Sequence, residues 1–365
     1  MTVPTVPAMM TAARLYGPGD IRLAEEPVPQ TDSGTSLVRV TAVGLCGSDL
    51  HWYTEAGIGD ARLDRPLVVG HEFAGVVEGG PWHGQRVAVD PAIPCGRCEI
   101  CHEGYGNLCP NVRFAGHGTV DGALREFIAW PTHLLQPLPD TLSDADGALL
   151  EPLGVGLHAL DLGHLRVGAT VAVVGCGPIG LLILQLAHVA GAARVFAVEP
   201  LEHRLRAARS LGADDAVAPG QADQAYWRDT AGRGVDVVFE VAGTEEAVDI
   251  ALTAVRPGGR VVLAGIPSSD RIAFSASTAR RKGVTIALVR RMNRVYDRAI
   301  ELVARRRIDL SRLATEVYPL GRVAEAFDAA ERRTGIKVVV EPGTARRTSG
   351  SGEGVAGGGT ADQVG

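Results

Sequence analysis

Thr170-Val-Ala-Val-Val-Gly175-Cys176-Gly177-Pro178-Ile179-Gly180-Leu-Leu-Ile-Leu-Gln-Leu-Ala-His-Val-Ala190 reads as a strand, a tight turn and a helix. The largely β-branched run Thr170–Val174 suits a strand buried on both faces. Gly175 allows the tight turn, and Gly177 lets a pyrophosphate approach the backbone. Gly180 permits close contact between helix and strand; the apolar helix is expected over Leu181–Ala190, and its N-terminus, which Pro178 and Ile179 lead into, supplies amide donors and a positive dipole. Glu199 lies nineteen positions beyond Gly180 and ends the next strand, Arg194–Val198. A carboxylate there accepts hydrogen bonds from adenosine ribose hydroxyls and repels a 2′-phosphate, which favours NAD over NADP. Arg204 is placed to stack on adenine or to meet a phosphate. A solvated strand end is the bland alternative for Glu199, and Cys176 reads as a small filler in the turn.

Strand–helix alternation continues outward from this unit. A helix is expected over Leu201–Leu211, and strands over Val235–Glu240, Arg260–Gly265 and Val284–Val289, which together form a doubly wound parallel sheet. The pattern before Gly154 differs. Short strands at Leu37–Val43, Phe73–Val77, Arg86–Pro91 and Leu124–Ala129, broken by Gly and Pro, indicate an antiparallel barrel-like domain. Helices Tyr296–Arg306 and Gly321–Glu331 and the strand Ile336–Glu341 follow, and this end is expected to return to the first domain. The expected division is residues 12–154 with 296–343 in one domain and 155–295 in the dinucleotide-binding domain. Residues 1–11 and 344–365 are expected to be disordered, the tail because its Gly/Ser/Thr/Ala composition cannot offset ordering entropy.

Cys95, Cys98, Cys101 and Cys109 fall within fifteen residues, spaced C-x2-C-x2-C-x7-C. Four thiolates so close can surround one tetrahedral Zn²⁺ at about 2.3 Å. An iron–sulfur cluster competes on spacing alone. Disulfides fit poorly, since adjacent C-x2-C pairs rarely close well. A second constellation is Gly44-Leu-Cys46-Gly-Ser48-Asp49-Leu-His51, Gly70-His71-Glu72 and Glu151-Pro-Leu-Gly. A cysteine, a histidine and one or two glutamates on separate segments make an open zinc site with a position left for water or substrate.

The bulk composition narrows the class. The 365 residues carry a net charge of −6 with 46% apolar content, and no basic block invites nucleic acid. No apolar run spans a bilayer, the first ten residues lack a signal pattern, and cytoplasm is the expected compartment. Lysine occurs only at Lys282 and Lys337 among 36 basic residues, a bias read as coding composition rather than physics.

Taken together, these motifs resemble the zinc-dependent medium-chain dehydrogenase/reductase superfamily, most of all its sorbitol (polyol) dehydrogenase branch, over roughly residues 12–342. The resemblance implies a GroES-like β-rich catalytic domain beside a Rossmann cofactor domain, with two Zn²⁺ per subunit and NAD. It makes Cys46, His71 and Glu72 the catalytic zinc ligands, with Glu151 either ligating or holding the zinc water. The cysteine that the alcohol-dehydrogenase branch has at the Glu151 position is absent here. It also implies a homo-oligomer, a tetramer in preference to a dimer. The segment Val77–Arg86 is shorter than the family usually shows. The implied chemistry is hydride transfer from a secondary alcohol (a polyol, sugar or related compound) to NAD⁺, with the metal stabilising the alkoxide. Ser48 is placed to accept the alcohol proton and His51 to pass it to solvent. Asp49 is either the partner of a zinc-binding imidazole or a helix cap. His102, His117 and His158 gain no role from spacing. An amino-alcohol dehydrogenase of threonine or aminocyclitol type shares the zinc pattern but needs a charged partner for its substrate, which the sequence does not place. A non-catalytic zinc-stabilised nucleotide-sensing protein is the remote alternative.

Overall fold

The structure, a computed structural model, describes residues 6–222, 230–268 and 271–344. Six parallel strands form one sheet in the order Asp215–Val217, Arg194–Val198, Thr170–Val174, Val235–Glu240, Val255–Leu263, Thr285–Leu288. Strand order reverses between Thr170–Val174 and Val235–Glu240, and the glycine turn leaves the sheet at that switch point, where doubly wound sheets bind ligands. Both faces of the sheet are covered. Val171, Val173, Leu181, Leu184 and Phe239 share one core, whereas Ala172, Val174, Phe196, Val248 and Leu252 share the other. The helix after the turn is Pro178–Val189. It begins three residues before the expected Leu181, because a proline at the first helical position is already preset for the helix.

The other sheet runs Leu135–Pro137, Arg86–Val89, Glu72–Glu78, Thr35–Gly44, Lys337–Glu341, Ala314–Pro319, and Phe127–Pro131 also pairs with Thr35–Gly44. Lys337–Glu341 lies antiparallel to Thr35–Gly44, so the end of the chain is woven into the sheet of its first half. The strand expected at Leu124–Ala129 starts only at Phe127. Leu124 instead donates its amide to the Val69 carbonyl, and Ala123 to that of Gly70, which braces the segment just before His71.

Two expectations need correction. Residues 9–11 are not disordered: Met9–Gly17 is a strand paired with Asp20–Pro27, and Met10 is buried. Its outer partners are distant in sequence, Ala13 donating to Leu124 and Leu15 exchanging bonds with Leu67. Residues 1–5 and 345–365 of the termini expected to be disordered lie outside the described residues, and Thr344 ends a short turn, Pro342–Thr344. The second is the helix Asp144–Gly163, which forms although Pro152 and four glycines punctuate the segment. Ser143 and Asp146 cap its start reciprocally. The glycines serve packing: a Cβ on Gly154 would lie 2.3 Å from the Met292 sulfur. Leu149, Leu150, Leu153 and Leu157 share one core with Ala74 and Ala88 of the first sheet, Leu182 and Leu186 of the cofactor half, and Met292 and Tyr296. The boundary expected at 154/155 therefore falls inside a helix that joins the two cores.

Candidate active site and its two cysteine-bearing metal sites

Strand Thr35–Gly44 delivers Leu45 and Cys46, and Cys46 precedes the helix Gly47–Glu55. Beside it, Gly70 turns with φ +94°, a backbone that a residue with a Cβ resists. That turn aims His71 and Glu72 at Cys46. The ligand atoms of Cys46, His71 and Glu72 all lie within 4.8 Å of one another. Gly44 makes room for the cluster, since a Cβ there would sit 2.2 Å from a Glu72 oxygen. The thiol, imidazole and carboxylate are donors that suit Zn²⁺, and their spacing fits one ion.

Asp49 is both the cap and the imidazole's partner. One carboxylate oxygen accepts the Cys46 amide at 2.9 Å, the other accepts the Gly70 amide at 3.1 Å and lies 3.4 Å from His71 Nδ1. Burial works against its charge, but His71 and those amides outweigh burial and hold the carboxyl below its usual range. Fixing Nδ1 leaves Nε2 for a metal.

Glu72 has a partner from the far end of the chain, which its spacing in sequence does not reveal. The Lys337 ammonium, 3% exposed, lies 2.8 and 2.7 Å from the two Glu72 oxygens and 2.9 Å from the Leu45 carbonyl. Lys282 uses its three protons in the same way, on the carbonyls of Leu252, Thr253 and Val255. Both lysines place a point charge with three diverging donors where a planar guanidinium would not fit.

Glu151, buried on Asp144–Gly163, stands outside the trio. Burial pushes its carboxyl up to about 7, with His71 pulling it down and Glu72 pushing it up. Ser48 and His51 lie one turn apart on Gly47–Glu55 and so share a face. The His51 ring is partly exposed, with Nδ1 3.1 Å from Glu55.

Phe114 packs on the His71 ring at 5.2 Å, and His117 meets Trp52 edge-on at 5.5 Å. Tyr53 stacks on Phe327. His102 is exposed and His158 half-buried near Asn107.

The four ligand atoms of Cys95, Cys98, Cys101 and Cys109 also lie within 4.8 Å of one another. The Cys98 and Cys109 sulfurs are 3.9 Å apart, close to the ~3.8 Å that two sulfurs on one tetrahedral zinc require and far from a disulfide. A multi-iron cluster would spread them further. The amides of Arg97 and Cys98 bring the Cys95 thiol down to about 6. The lobe that carries these cysteines has almost no core of its own, and its helix Glu99–His102 buries no residue.

At the cofactor turn, Gly175 has φ +101°, and a Cβ on Gly180 would sit 2.0 Å from the Gly175 carbonyl oxygen. Gly177 caps the helix that Pro178 and Ile179 begin. Glu199 is buried rather than solvated. Its oxygens accept the Cys176 amide at 2.7 Å and the Leu201 amide at 3.1 Å, which leaves about two of a carboxylate's four acceptor sites. Arg204 reaches over the turn, with Nη1 3.8 Å from the Cβ position of Gly177. Its Nη2 donates to the Gly335 carbonyl, and its Nε is buried without an acceptor among the described residues. Cys176 is fully buried with its thiol pushed up to about 12, first by burial and then by Glu199, as befits a filler.

Residues 32–140 match the alcohol dehydrogenase GroES-like domain model, and residues 178–305 match the zinc-binding dehydrogenase model. The chain is 36% identical over 348 residues to sorbitol dehydrogenase of Bacillus subtilis, covering 93% of this chain and 99% of that protein. Among solved structures, L-idonate 5-dehydrogenase of Escherichia coli matches with a TM-score of 0.85 at 29% identity, covering 92% and 98% of the two chains. A zinc-binding dehydrogenase of Sinorhizobium meliloti bound to NADP matches at 0.83 and 32% identity, covering 92% and 100%.

Proposed function

The chain belongs to the zinc-binding dehydrogenase family with a GroES-like domain, and on that premise we propose that it moves a hydride from a secondary carbinol of a polyol or sugar-derived substrate to NAD⁺. That it is a zinc-dependent polyol or alcohol oxidoreductase follows from the family and its relatives. The observation that carries the finer reading is the convergence of Cys46, His71 and Glu72 from separate segments.

In this reading Cys46, His71 and Glu72 hold the catalytic zinc, and Cys95, Cys98, Cys101 and Cys109 hold a second, structural one. When bound, the catalytic ion polarises the alcohol oxygen and eases loss of its proton. The chain's own groups do the rest. Asp49 fixes the His71 ring, and Lys337 offsets the charge of Glu72. Glu151 supplies a buried acid–base group beside the trio. Ser48 takes the alcohol proton and His51, open to water on the same helix face, releases it. Gly175 to Gly180 hold the pyrophosphate so that the nicotinamide faces the carbinol. Solvent access at His51 and the absence, among the described residues, of any helix long and apolar enough to cross a membrane are compatible with action on a small alcohol in the cytoplasm. Assembly as a homotetramer is part of the same proposal.

Nicotinamide reduction across neutral polyols, sugars, cyclitols and amino alcohols, with NAD⁺ and NADP⁺ in parallel, tests this reading. Turnover of L-threonine alone would replace it with the amino-alcohol reading. Metal analysis is expected to give two zinc ions per chain. A ratio near one in fully active protein removes one site, and an iron absorption band removes the structural zinc.

NAD is the proposed cofactor because Glu199 retains acceptor sites for ribose hydroxyls. Wild type is expected to prefer NAD⁺ by roughly thirty- to a hundredfold, since a 2′-phosphate against that carboxylate costs on the order of 2–3 kcal/mol. Glu199→Ser is expected to narrow this preference, with Arg204 free to pair with the phosphate. It is also expected to lower stability by about 1–3 kcal/mol, because the Cys176 and Leu201 amides lose their acceptor. Titration of both cofactors by fluorescence reads the ratio. An unchanged ratio in the variant rejects Glu199 as the discriminator.

A further inference from the structure

The strand Thr285–Leu288 leads into Arg290-Arg291-Met292-Asn293-Arg294, a loop held in an expensive shape. Arg291 and Arg294 have φ +57° and +51°, a left-handed backbone that β-carbon residues seldom adopt. Two amides from the structural-cysteine lobe and the loop itself brace it. Asn107 Nδ2 donates to the Arg290 carbonyl at 2.9 Å, and Asn293 Nδ2 donates to the Gly104 carbonyl at 3.0 Å. Such bracing fixes where Arg291 points.

Its guanidinium carbon lies 4.1 Å from the centre of the Phe114 ring, and that ring packs on His71. One aromatic ring therefore separates the cation from a residue of the candidate catalytic trio. The Nη1 of Arg291 is buried and meets no hydrogen-bond acceptor among the described residues. Arg290 repels it, while Glu151 and Asp90 attract it without forming a hydrogen bond to that nitrogen. Burial and Arg290 bring Arg291 down to about 10, so it is a cation at neutral pH. A partly desolvated cation with an open donor is costly unless an anion completes it. Guanidinium groups match carboxylate and phosphate oxygens with parallel donors.

We propose that Arg291 is a specificity residue that binds an anionic group, a carboxylate or a phosphate monoester, on the same substrate whose carbinol reaches Cys46, His71 and Glu72. This rests on the reading of that trio as the catalytic site. It supplies the charged partner that the sequence alone did not place, and its sign calls for an anionic group on the substrate.

The test compares kcat/KM of the zinc-loaded enzyme for a neutral hexitol, the aldonate of the same carbon skeleton and the hexitol monophosphate. Wild type is expected to favour one of the anionic compounds by at least about tenfold, and whether aldonate or monophosphate wins identifies the group. Arg291→Leu is expected to erase that preference mainly through KM, and Arg291→Lys to restore part of it. A readout independent of turnover is fluorescence titration of the preferred anion into the enzyme–NADH complex, where Arg291→Leu weakens binding to the same degree. An unfolded Arg291→Leu variant shifts the decision to Arg291→Lys, which must lower the anion preference if the charge is read by a fork. Equal use of neutral and anionic compounds, unchanged in either variant, overturns the proposal while leaving the catalytic reading intact. If NADH binds but no alcohol of any charge is oxidised, the catalytic reading itself fails and the proposal with it.

Discussion

Cys46→Ser is expected to lower kcat by about a thousandfold or more while leaving a folded protein that still binds dinucleotide. A bound metal contributes several kcal/mol of charge stabilisation to such a reaction, and ~4 kcal/mol corresponds to that factor. The fold tolerates the change because Cys46 sits at the cap of Gly47–Glu55, a position where serine is preferred. Its amide bond to Asp49 is a backbone contact and survives. Cys95→Ser is expected to behave in the opposite way. The lobe around Cys95–Cys109 buries little besides Cys109 and Asn107, so under the proposed reading a closed metal site would supply its folding energy. Thermal melting separates the two: a large loss for Cys95→Ser and little change for Cys46→Ser. Because Gly104 and Asn107 brace the loop that carries Arg291, Cys95→Ser is also expected to raise KM before it unfolds the chain. Normal turnover by metal-replete Cys46→Ser would remove that cysteine from the catalytic set.

The parts of the molecule that the sequence revealed are those whose causes are local. Thr170–Val174, the glycine turn and Glu199 follow from β-branching, glycine conformations and a fixed offset, and all three stand where that reading put them. The four cysteines carry their own spacing. Failures occurred where distant packing overrides local preference. Helix Asp144–Gly163 contains Pro152 and four glycines, which read as breakers, yet its leucines are buried by segments as far apart as Ala74 and Met292. Met9–Gly17 pairs into a hairpin held by Leu67 and Leu124, which no window of local sequence contains. The arrangement of Arg291 also depends on distant packing, since only the folded chain brings it over Phe114.

Lys337 lies outside every motif of the chain yet is buried against Glu72, and Lys337→Met is expected to cost about 3–5 kcal/mol, the usual penalty for stripping one partner from a buried pair. Glu72 is 1% exposed and both its oxygens face the ammonium, so the variant buries a carboxylate with no counter-charge. Burial opposes the charge on Lys337, but Glu72 and Cys46 outweigh burial and hold its pKa above the usual lysine value. For a lysine raised on folding, the stabilisation is fully present below the unfolded pKa near 10.5 and is lost only above the folded value. The pair therefore persists across the neutral range. Denaturant unfolding of chelator-treated protein measures it without the metal. The double variant Glu72→Gln, Lys337→Met is expected to recover at least about 2 kcal/mol relative to the sum of the single changes, as coupled neighbours do; additive losses would mean that the pair does not act as a unit. In the zinc-loaded enzyme the same substitution makes the surroundings of Cys46 and His71 more negative by one charge. The limb of the kcat/KM profile that reports proton loss is then expected to move to higher pH, because nearby negative charge disfavours giving up a proton. A stable Lys337→Met enzyme with an unshifted profile would show that the lysine neither supports Glu72 nor tunes the site.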